Sequence, residues 1–150
     1  FPFPDHKISN ALDGEENMLE CKNAVIKLIK LFDKFYDDSF GKLIPVRAEV
    51  VVGDEEWGVT GMIDQLFFNE KSGKLEIWDW KTNKAIKKHN VCEFNTYSLQ
   101  LSFYKLIIER NTELELGDSY IVWFNENNEK YEIIKCYDFR EEILKMMKNG

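Results

Sequence analysis

Apolar residues in the first part of the chain recur at three- and four-residue spacing, which is typical of an amphipathic helix. The stretch GEENMLECKNAVIKLIKLFDKFYDD has this spacing, and Gly41 and Pro45 end it. Two later stretches, TYSLQLSFYKLIIER and REEILKMMKNG, are also predicted to be helices. The predicted apolar stripes are Met18, Cys21, Val25, Leu28, Ile29, Phe32 and Phe35 in the first helix, and Leu99, Phe103, Leu106 and Ile107 in the second.

Five shorter stretches rich in β-branched and aromatic residues are predicted to be strands. They are PVRAEVVV, WGVTGMIDQLFF, LEIWDWK, SYIVWFN and KYEIIKCY. The order helix, three-strand meander, helix, two strands, helix predicts an α/β (α+β) fold, a mixed sheet covered by helices. The length of 150 residues, 44% of them hydrophobic, favours one domain over residues 1–150.

The second and third strands form a predicted hairpin around a polar turn, Asn69 to Lys74. The two residues of a pair in an antiparallel hairpin point to the same face of the sheet, and every second pair points to that same face. The half near the turn is then apolar, and the other half carries two carboxylates and an ammonium. The predicted pairs are Phe68 with Leu75, Leu66 with Ile77, Asp64 with Asp79, and Met62 with Lys81.

Two opposed carboxylates, Asp64 and Asp79, need an explanation, because side chains paired in this way have Cβ atoms about 4.5–5.5 Å apart and like charges repel. A proton on one carboxylate, the ammonium of Lys81, or a divalent cation between them would offset the repulsion. Oxygen ligands of this kind suit Mg²⁺ or Mn²⁺. A bound metal lowers the pKa of a water, and Lys81 could orient that water or stabilise charge on a phosphate.

The alternative is a solvent-facing ion pair of Asp79 with Lys81, worth under about 1 kcal/mol. The neighbourhood argues against it, because apolar residues are expected on both faces of the hairpin. Leu66, Phe68, Leu75 and Ile77 share the charged face, whereas Ile63, Trp78 and Trp80 are placed on the other. The charges are therefore expected in a cleft.

Charge and cysteine content limit other functions. The net charge of −7 disfavours a nucleic-acid-binding protein, although an acidic metal site itself contributes to it. Three scattered cysteines without a CxxC pair disfavour a zinc site or an iron–sulfur cluster, and free thiols suit a reducing cytoplasm. No segment suits a membrane span, and SGK at residues 72–74 is not a P-loop, so no ATP site is expected.

The two charged strands and the helix after them resemble the PD-(D/E)XK nuclease superfamily, specifically its RecB-like exonuclease branch. The layout is similar to that of phage and mitochondrial single-strand exonucleases. The hairpin motif G-x-x-D…(D/E)-x-K-T and the helix motif Q-L-x-x-Y are matched by Gly61, Asp64, Asp79, Lys81, Thr82, Gln100, Leu101 and Tyr104.

The resemblance implies a restriction-endonuclease-like core and a Mg²⁺- or Mn²⁺-dependent phosphodiesterase. By resemblance, Asp64, Asp79 and the carbonyl of Trp80 are metal ligands and Lys81 is the catalytic lysine. Gln100 and Tyr104, four residues apart on one helical face, would contact the substrate strand or position the site. The N-terminal helical region of the branch is expected to be truncated here, and the missing initial Met fits either a fragment or a lost leader.

Three weaker matches concern residues further from the motifs. Glu49 on the first strand is expected on the same face of the sheet as Asp64. It lies opposite Asp64 if the turn between the first and second strands centres on Glu56–Trp57, but opposite Thr60 if that turn is Gly53–Glu56. A solvated glutamate is the alternative. His6 would be an upstream metal contact. Lys84, with Lys87, Lys88 and His89, forms a basic patch that suits a phosphate backbone or is a solvated loop.

The predicted function is a DNA exonuclease or structure-specific nuclease of recombination, repair or phage replication. The predicted partners are single-stranded DNA or a duplex end and, beyond them, other recombination proteins or a second copy of the chain; the expected setting is the cytoplasm of a bacterium or a phage-infected cell. Two alternatives remain: a catalytically silent nucleic-acid-binding or assembly module of the same fold, and a structural α+β domain with a surface ion pair.

Overall fold

The structure is a computed structural model that describes residues 15–82, 91–125 and 127–149. Within these residues, helices and strands follow one another in the predicted order, and the five strands form one sheet in the order of the chain. The elements are α1 (Glu15–Ser39), β1 (Leu43–Asp54), β2 (Val59–Asn69), β3 (Lys74–Lys81), α2 (Val91–Asn111), β4 (Leu116–Trp123), β5 (Glu132–Lys135) and α3 (Arg140–Asn149).

The sheet is mixed, as the sequence predicted. Antiparallel pairing joins β1 to β2, β2 to β3 and β4 to β5, whereas β3 and β4 are parallel. Parallel neighbours need a long crossover connection, and the segment that contains α2 makes it. The predicted α/β class with an antiparallel meander and flanking helices is confirmed.

Two hydrophobic clusters, one for each of the two long helices, cover the sheet. The cluster of α2 gathers buried residues of β2, β3 and β4 with the buried face of the helix: Leu66, Ile77, Leu101, Ile107, Leu116 and Ile121. The cluster of α1 is rich in aromatic rings: Leu31, Phe35, Phe67, Trp78, Val122 and Phe124. The sheet is thus the middle layer between two helices.

Only the C-terminal half of α1 packs on the sheet. Phe35 is fully buried, but Met18, Val25 and Ile29 of the predicted apolar stripe are 56, 36 and 48% exposed. The apolar stripe predicted for the first helix is therefore buried only toward its C-terminal end, and Leu99 of the stripe predicted for α2 is 44% exposed.

Local turn chemistry sets the registers of the meander. Asn69 Oδ1 accepts the backbone N–H groups of Lys71 and Ser72, and Gly73 takes a positive φ of 72°, so the turn lies where it was predicted. The turn between β1 and β2 centres on Glu56–Trp57, because Val50 pairs with Ile63. Of the two registers left open by the sequence, this one places Glu49 opposite Asp64.

The position of Ile63 differs from the prediction. Ile63 packs with Leu66 and Ile77 in the cluster under α2, not with Trp78 on the other face. β2 pairs with β3 only between Gln65 and Asn69, so its outer part pairs with β1 alone. In that outer part Gly61 lies against Tyr104 of α2, on the side where Ile63 is buried. Among the described residues, no helix combines the length and apolar character of a bilayer crossing.

Candidate active site

The β2–β3 ladder ends where the charged residues begin. Phe68 pairs with Leu75 and Leu66 with Ile77, as predicted, and the last pair is Gln65 with Trp78. Asp64 and Asp79 are the next residues beyond this pair. The predicted pairing of Met62 with Lys81 does not form, because the two strands have separated there. Met62 is 54% exposed, and Lys81 pairs only with Trp123 of β4 on its other side.

Asp64 bridges the gap between the separated strands with its side chain. Its Oδ2 accepts the backbone N–H of Trp80 at 2.9 Å, a donor that a longer ladder would have given to a carbonyl of β2. A half-buried backbone N–H needs such a partner. The hydrogen bond therefore aims the carboxylate of Asp64 at β3, beside Asp79.

Asp79 and Lys81 form an ion pair within the same opening. Lys81 Nζ lies 2.8 Å from Asp79 Oδ2, and their side chains are 23 and 15% exposed. The alternative of a solvent-facing pair does not fit these exposures. Removal of either partner would leave a largely desolvated charge behind, which makes the pair far more consequential than a surface ion pair.

The environment of Asp79 changes its titration. Burial and a hydrogen bond with Asp64 raise the pKa of Asp79 to about 7, although Lys81 acts in the opposite direction. Burial by itself would lower the pKa of Lys81, but the hydrogen bond and charge of Asp79, with smaller effects of Tyr97 and Asp64, raise it. Lys81 is thus a cation at neutral pH, and Asp79 is poised to exchange a proton.

This donor set suits a hard divalent cation. A proton on Asp79 is the compensation available without metal, and a cation between the two carboxylates would take the place of that proton. Within residues 15–82, 91–125 and 127–149 there is no cluster of three or more His, Cys, Asp or Glu side chains for a metal. Mg²⁺ commonly uses one or two carboxylates and keeps several waters, so two aspartates fit it.

Trp80 and Glu49 were the other predicted ligands on the sheet. The ring of Trp80 packs in the aromatic cluster of α1, and the backbone N–H of the same residue donates to Asp64. Its carbonyl as a metal ligand stays a prediction. Glu49 takes a positive φ of 51°, unusual for a residue with a side chain, and is exposed, so it lies opposite Asp64 in register without joining the two aspartates in a cluster.

One face of α2 closes over the strands at Gly61. A Cβ on Gly61 would lie 2.3 Å from Tyr104 Cε1, so the ring of Tyr104 rests directly on the backbone of β2. Gln100 Nε2 donates to the Tyr104 hydroxyl at 3.0 Å. The glycine of the hairpin motif and the tyrosine of the helix motif thus contact each other. This contact packs α2 on β2 at a position three residues before Asp64.

Several predicted residues lie outside the part of the chain that the structure describes. They are His6, Lys84, Lys87, Lys88 and His89. Their roles in metal and phosphate contact stay predictions.

Tyr97 lies beside the candidate site, although neither sequence motif includes it. Lys81 Nζ lies 4.5 Å from the centroid of the Tyr97 ring, and the Tyr97 hydroxyl donates to Glu93 Oε1. A signal was available: Tyr97 lies seven residues before Tyr104 and four after Glu93, so all three share a face of the helix.

These features define a class: a mixed sheet between helices, in which an opened hairpin presents two aspartates and a lysine, is the restriction-endonuclease-like core of the PD-(D/E)XK fold. Comparison with known families matches residues 6–148 to the PD-(D/E)XK nuclease superfamily. The chain belongs to this superfamily of nucleases. A search of curated proteins found no match.

Proposed function

We propose that this protein is a divalent-metal-dependent DNA exonuclease of the RecB-like branch, acting in recombination, repair or phage DNA metabolism. The observation that carries the proposal is the convergence of Asp64, Asp79 and Lys81 in one partly buried opening at the end of the β2–β3 ladder. Three free cysteines among the described residues are in line with the cytoplasmic setting proposed for it.

Asp64 and Asp79 would hold Mg²⁺ or Mn²⁺, with the carbonyl of Trp80 as a further ligand. When bound, the cation supplies a water of lowered pKa and neutralises charge at the scissile phosphate. Asp79 must lose its proton to serve as a ligand, so metal binding is expected to weaken as the pH falls below about 7.

Lys81 contributes what the aspartates cannot. Asp79 holds its ammonium, and the Lys81 side chain is only 23% exposed, so its charge is screened less than that of a surface lysine. From there it would donate to a phosphate oxygen, stabilising the charge that grows during hydrolysis, or orient the attacking water. Loss of such a preorganised donor typically reduces the rate by about 10²–10³-fold.

Gln100, Tyr104 and Lys84 are proposed to guide the substrate strand. Gln100 is exposed, and its amide is oriented by the hydroxyl of Tyr104, whose ring is in turn seated on Gly61. This chain of contacts would present a fixed polar group next to the site. Lys84 follows the catalytic strand closely in sequence and would contribute a phosphate contact.

The test is incubation of the purified chain with end-labelled single- and double-stranded DNA in Mg²⁺, Mn²⁺ or EDTA. We expect loss of the end label as mononucleotides or short products with either metal, none in EDTA, and at least about 100-fold less with Lys81→Ala. Lys34→Ala is the matched control, because Lys34 also pairs with an aspartate at 2.8 Å, but on the exposed surface of α1.

Retention of wild-type cleavage by Lys81→Ala would contradict the assignment. DNA binding without cleavage in any metal would instead favour the catalytically silent nucleic-acid-binding module of the same fold.

A further inference from the structure

Lys81 is held from two sides. On one side Asp79 Oδ2 lies 2.8 Å from Nζ, and on the other the centroid of the Tyr97 ring lies 4.5 Å from the same atom. A cation at this distance over an aromatic face is attracted by the ring quadrupole, more strongly when it is partly desolvated. Lys81 meets that condition, since its side chain is 23% exposed.

The ring of Tyr97 is itself fixed. It packs at the edge of the hydrophobic cluster under α2, and its hydroxyl donates to Glu93 Oε1, one turn earlier on the helix. The same helix is seated on β2 by Tyr104 against Gly61. One face of α2 therefore contacts both strands of the opened hairpin, Tyr104 on β2 and Tyr97 at the end of β3.

We propose that Tyr97 is a positioning residue for Lys81, holding the ammonium against its ring face so that it stays beside Asp79 and directed at the substrate phosphate. The catalytic part of this inference rests on the proposed nuclease function. Attraction to the ring face leaves the N–H donors of the ammonium that are not bonded to Asp79 available to a phosphate oxygen.

The need for a second anchor follows from the chemistry of Asp79. If Asp79 served as a ligand of a divalent cation, it would hold the ammonium of Lys81 less strongly, and Lys81 would also be repelled by the charge of that cation. A lysine has four rotatable bonds and would otherwise swing into solvent. Contact with Tyr97 is independent of the charge on Asp79, so it would keep Lys81 in place when the site is loaded.

NMR tests the placement without requiring nuclease activity. Protons above an aromatic ring face are shifted upfield, so the ε-CH₂ signal of Lys81, identified by its loss in Lys81→Arg, should be upfield of the other lysines. We expect Tyr97→Phe to keep this shift and Tyr97→Leu to abolish it. A Lys81 signal at the ordinary lysine position in the wild type, or one unchanged in Tyr97→Leu, would overturn the proposal.

Kinetics test the consequence. We expect Tyr97→Leu to lower kcat for DNA hydrolysis about 3- to 30-fold, the range that a cation–π contact supports, with KM within about twofold of the wild type. Tyr97→Phe should retain a near-wild-type kcat, and stabilisation by Mn²⁺ should persist in both variants. Leu99→Ala, at a 44% exposed position of the same helix, is the matched control.

The outcomes separate the two proposals. A wild-type chain that hydrolyses no DNA contradicts the nuclease function, whereas the ring-shifted signal still decides whether Tyr97 places Lys81. Equal kcat values for the wild type and Tyr97→Leu would overturn the positioning role even if the nuclease is active, and so would a Tyr97→Phe variant as slow as Tyr97→Leu.

Discussion

The β2–β3 hairpin has two halves that follow different rules. In the half near the turn, the backbone ladder is continuous, and Leu66 and Ile77 are buried under α2. In the other half the ladder has ended, and Asp64 satisfies the backbone of Trp80 with its side chain. Apolar burial and strand pairing stabilise the first half, whereas two close carboxylates destabilise the second.

The difference teaches where a functional group can be placed in a sheet. A carboxylate within a closed ladder would find no backbone donor, because each N–H is already paired. Where the strands part, an unpaired N–H becomes available and orients Asp64, and space opens for Asp79 and Lys81. The candidate site begins in this hairpin at the residue where strand pairing stops.

The largest effect is expected from a cavity in the half near the turn. Ile77 is fully buried, so Ile77→Ala should lower the free energy of unfolding by about 3 kcal/mol through lost apolar contacts and a residual cavity. Urea unfolding measures this change. Met62→Ala, at a 54% exposed position of the same hairpin, is the control and should cost less than about 0.5 kcal/mol. Equal losses in the two variants would contradict the division into halves.

The next effect concerns the seat of α2 on the open half. Gly61→Ala should cost about 2 kcal/mol, because the new Cβ would lie 2.3 Å from the Tyr104 ring and the helix or the ring must shift. Gly53→Ala is the control, since a Cβ there meets Thr60 Cγ2 at an ordinary 3.4 Å. In a Tyr104→Ala background, the cost of Gly61→Ala should largely disappear. Persistence of the full cost there would contradict the contact.

The smallest effect is expected at the site itself, and it is a dependence of stability on pH. The pKa of Asp79 is raised to about 7, so between pH 4 and pH 7 the folded state binds more protons than the unfolded state. Stability from this group is therefore lost as the pH rises through that window. Asp79→Asn removes this pH dependence, so the free energy of unfolding of the metal-free variant, relative to that of the wild type, should rise by on the order of 1 kcal/mol from pH 5 to pH 8, a relative gain in Tm of about 2–4 °C. A loss that does not depend on pH is added to this change, because Lys81 is left without its carboxylate partner.

The same variant separates the proton from the metal. Mn²⁺ should raise the Tm of the wild type and leave that of Asp79→Asn unchanged, because binding to the native state alone stabilises it. Asp118→Asn is the control, since Asp118 also pairs with a lysine but its side chain is 50% exposed. A wild-type Tm that does not respond to Mn²⁺ would count against the metal site, and a stability difference between the wild type and Asp79→Asn that stays the same from pH 5 to pH 8 would count against the raised pKa of Asp79.

Sequence reasoning was most successful where local chemistry decides the structure. The turn from Asn69 to Lys74 and the strand pattern correctly predicted the pairing of Phe68 with Leu75 and of Leu66 with Ile77. The predicted pair of Asp64 with Asp79 lies just beyond the end of the ladder, where the two residues meet through their side chains. Sequence reasoning was less successful where a distant element acts. The register of β1 was left between two possibilities, and Ile63 was assigned to the wrong face.

By itself, therefore, the sequence determined the element order, the register of the hairpin near its turn and the acid–acid–lysine set at its far end, because these follow from side-chain alternation and turn residues within some twenty positions. The tertiary structure decided that the strands part after Gln65, that Tyr104 sits on Gly61, and that Lys81 meets the ring of Tyr97. Those contacts join residues far apart in the chain, and they form only when the burial of α2 against the sheet outweighs the pairing that a longer ladder would have offered.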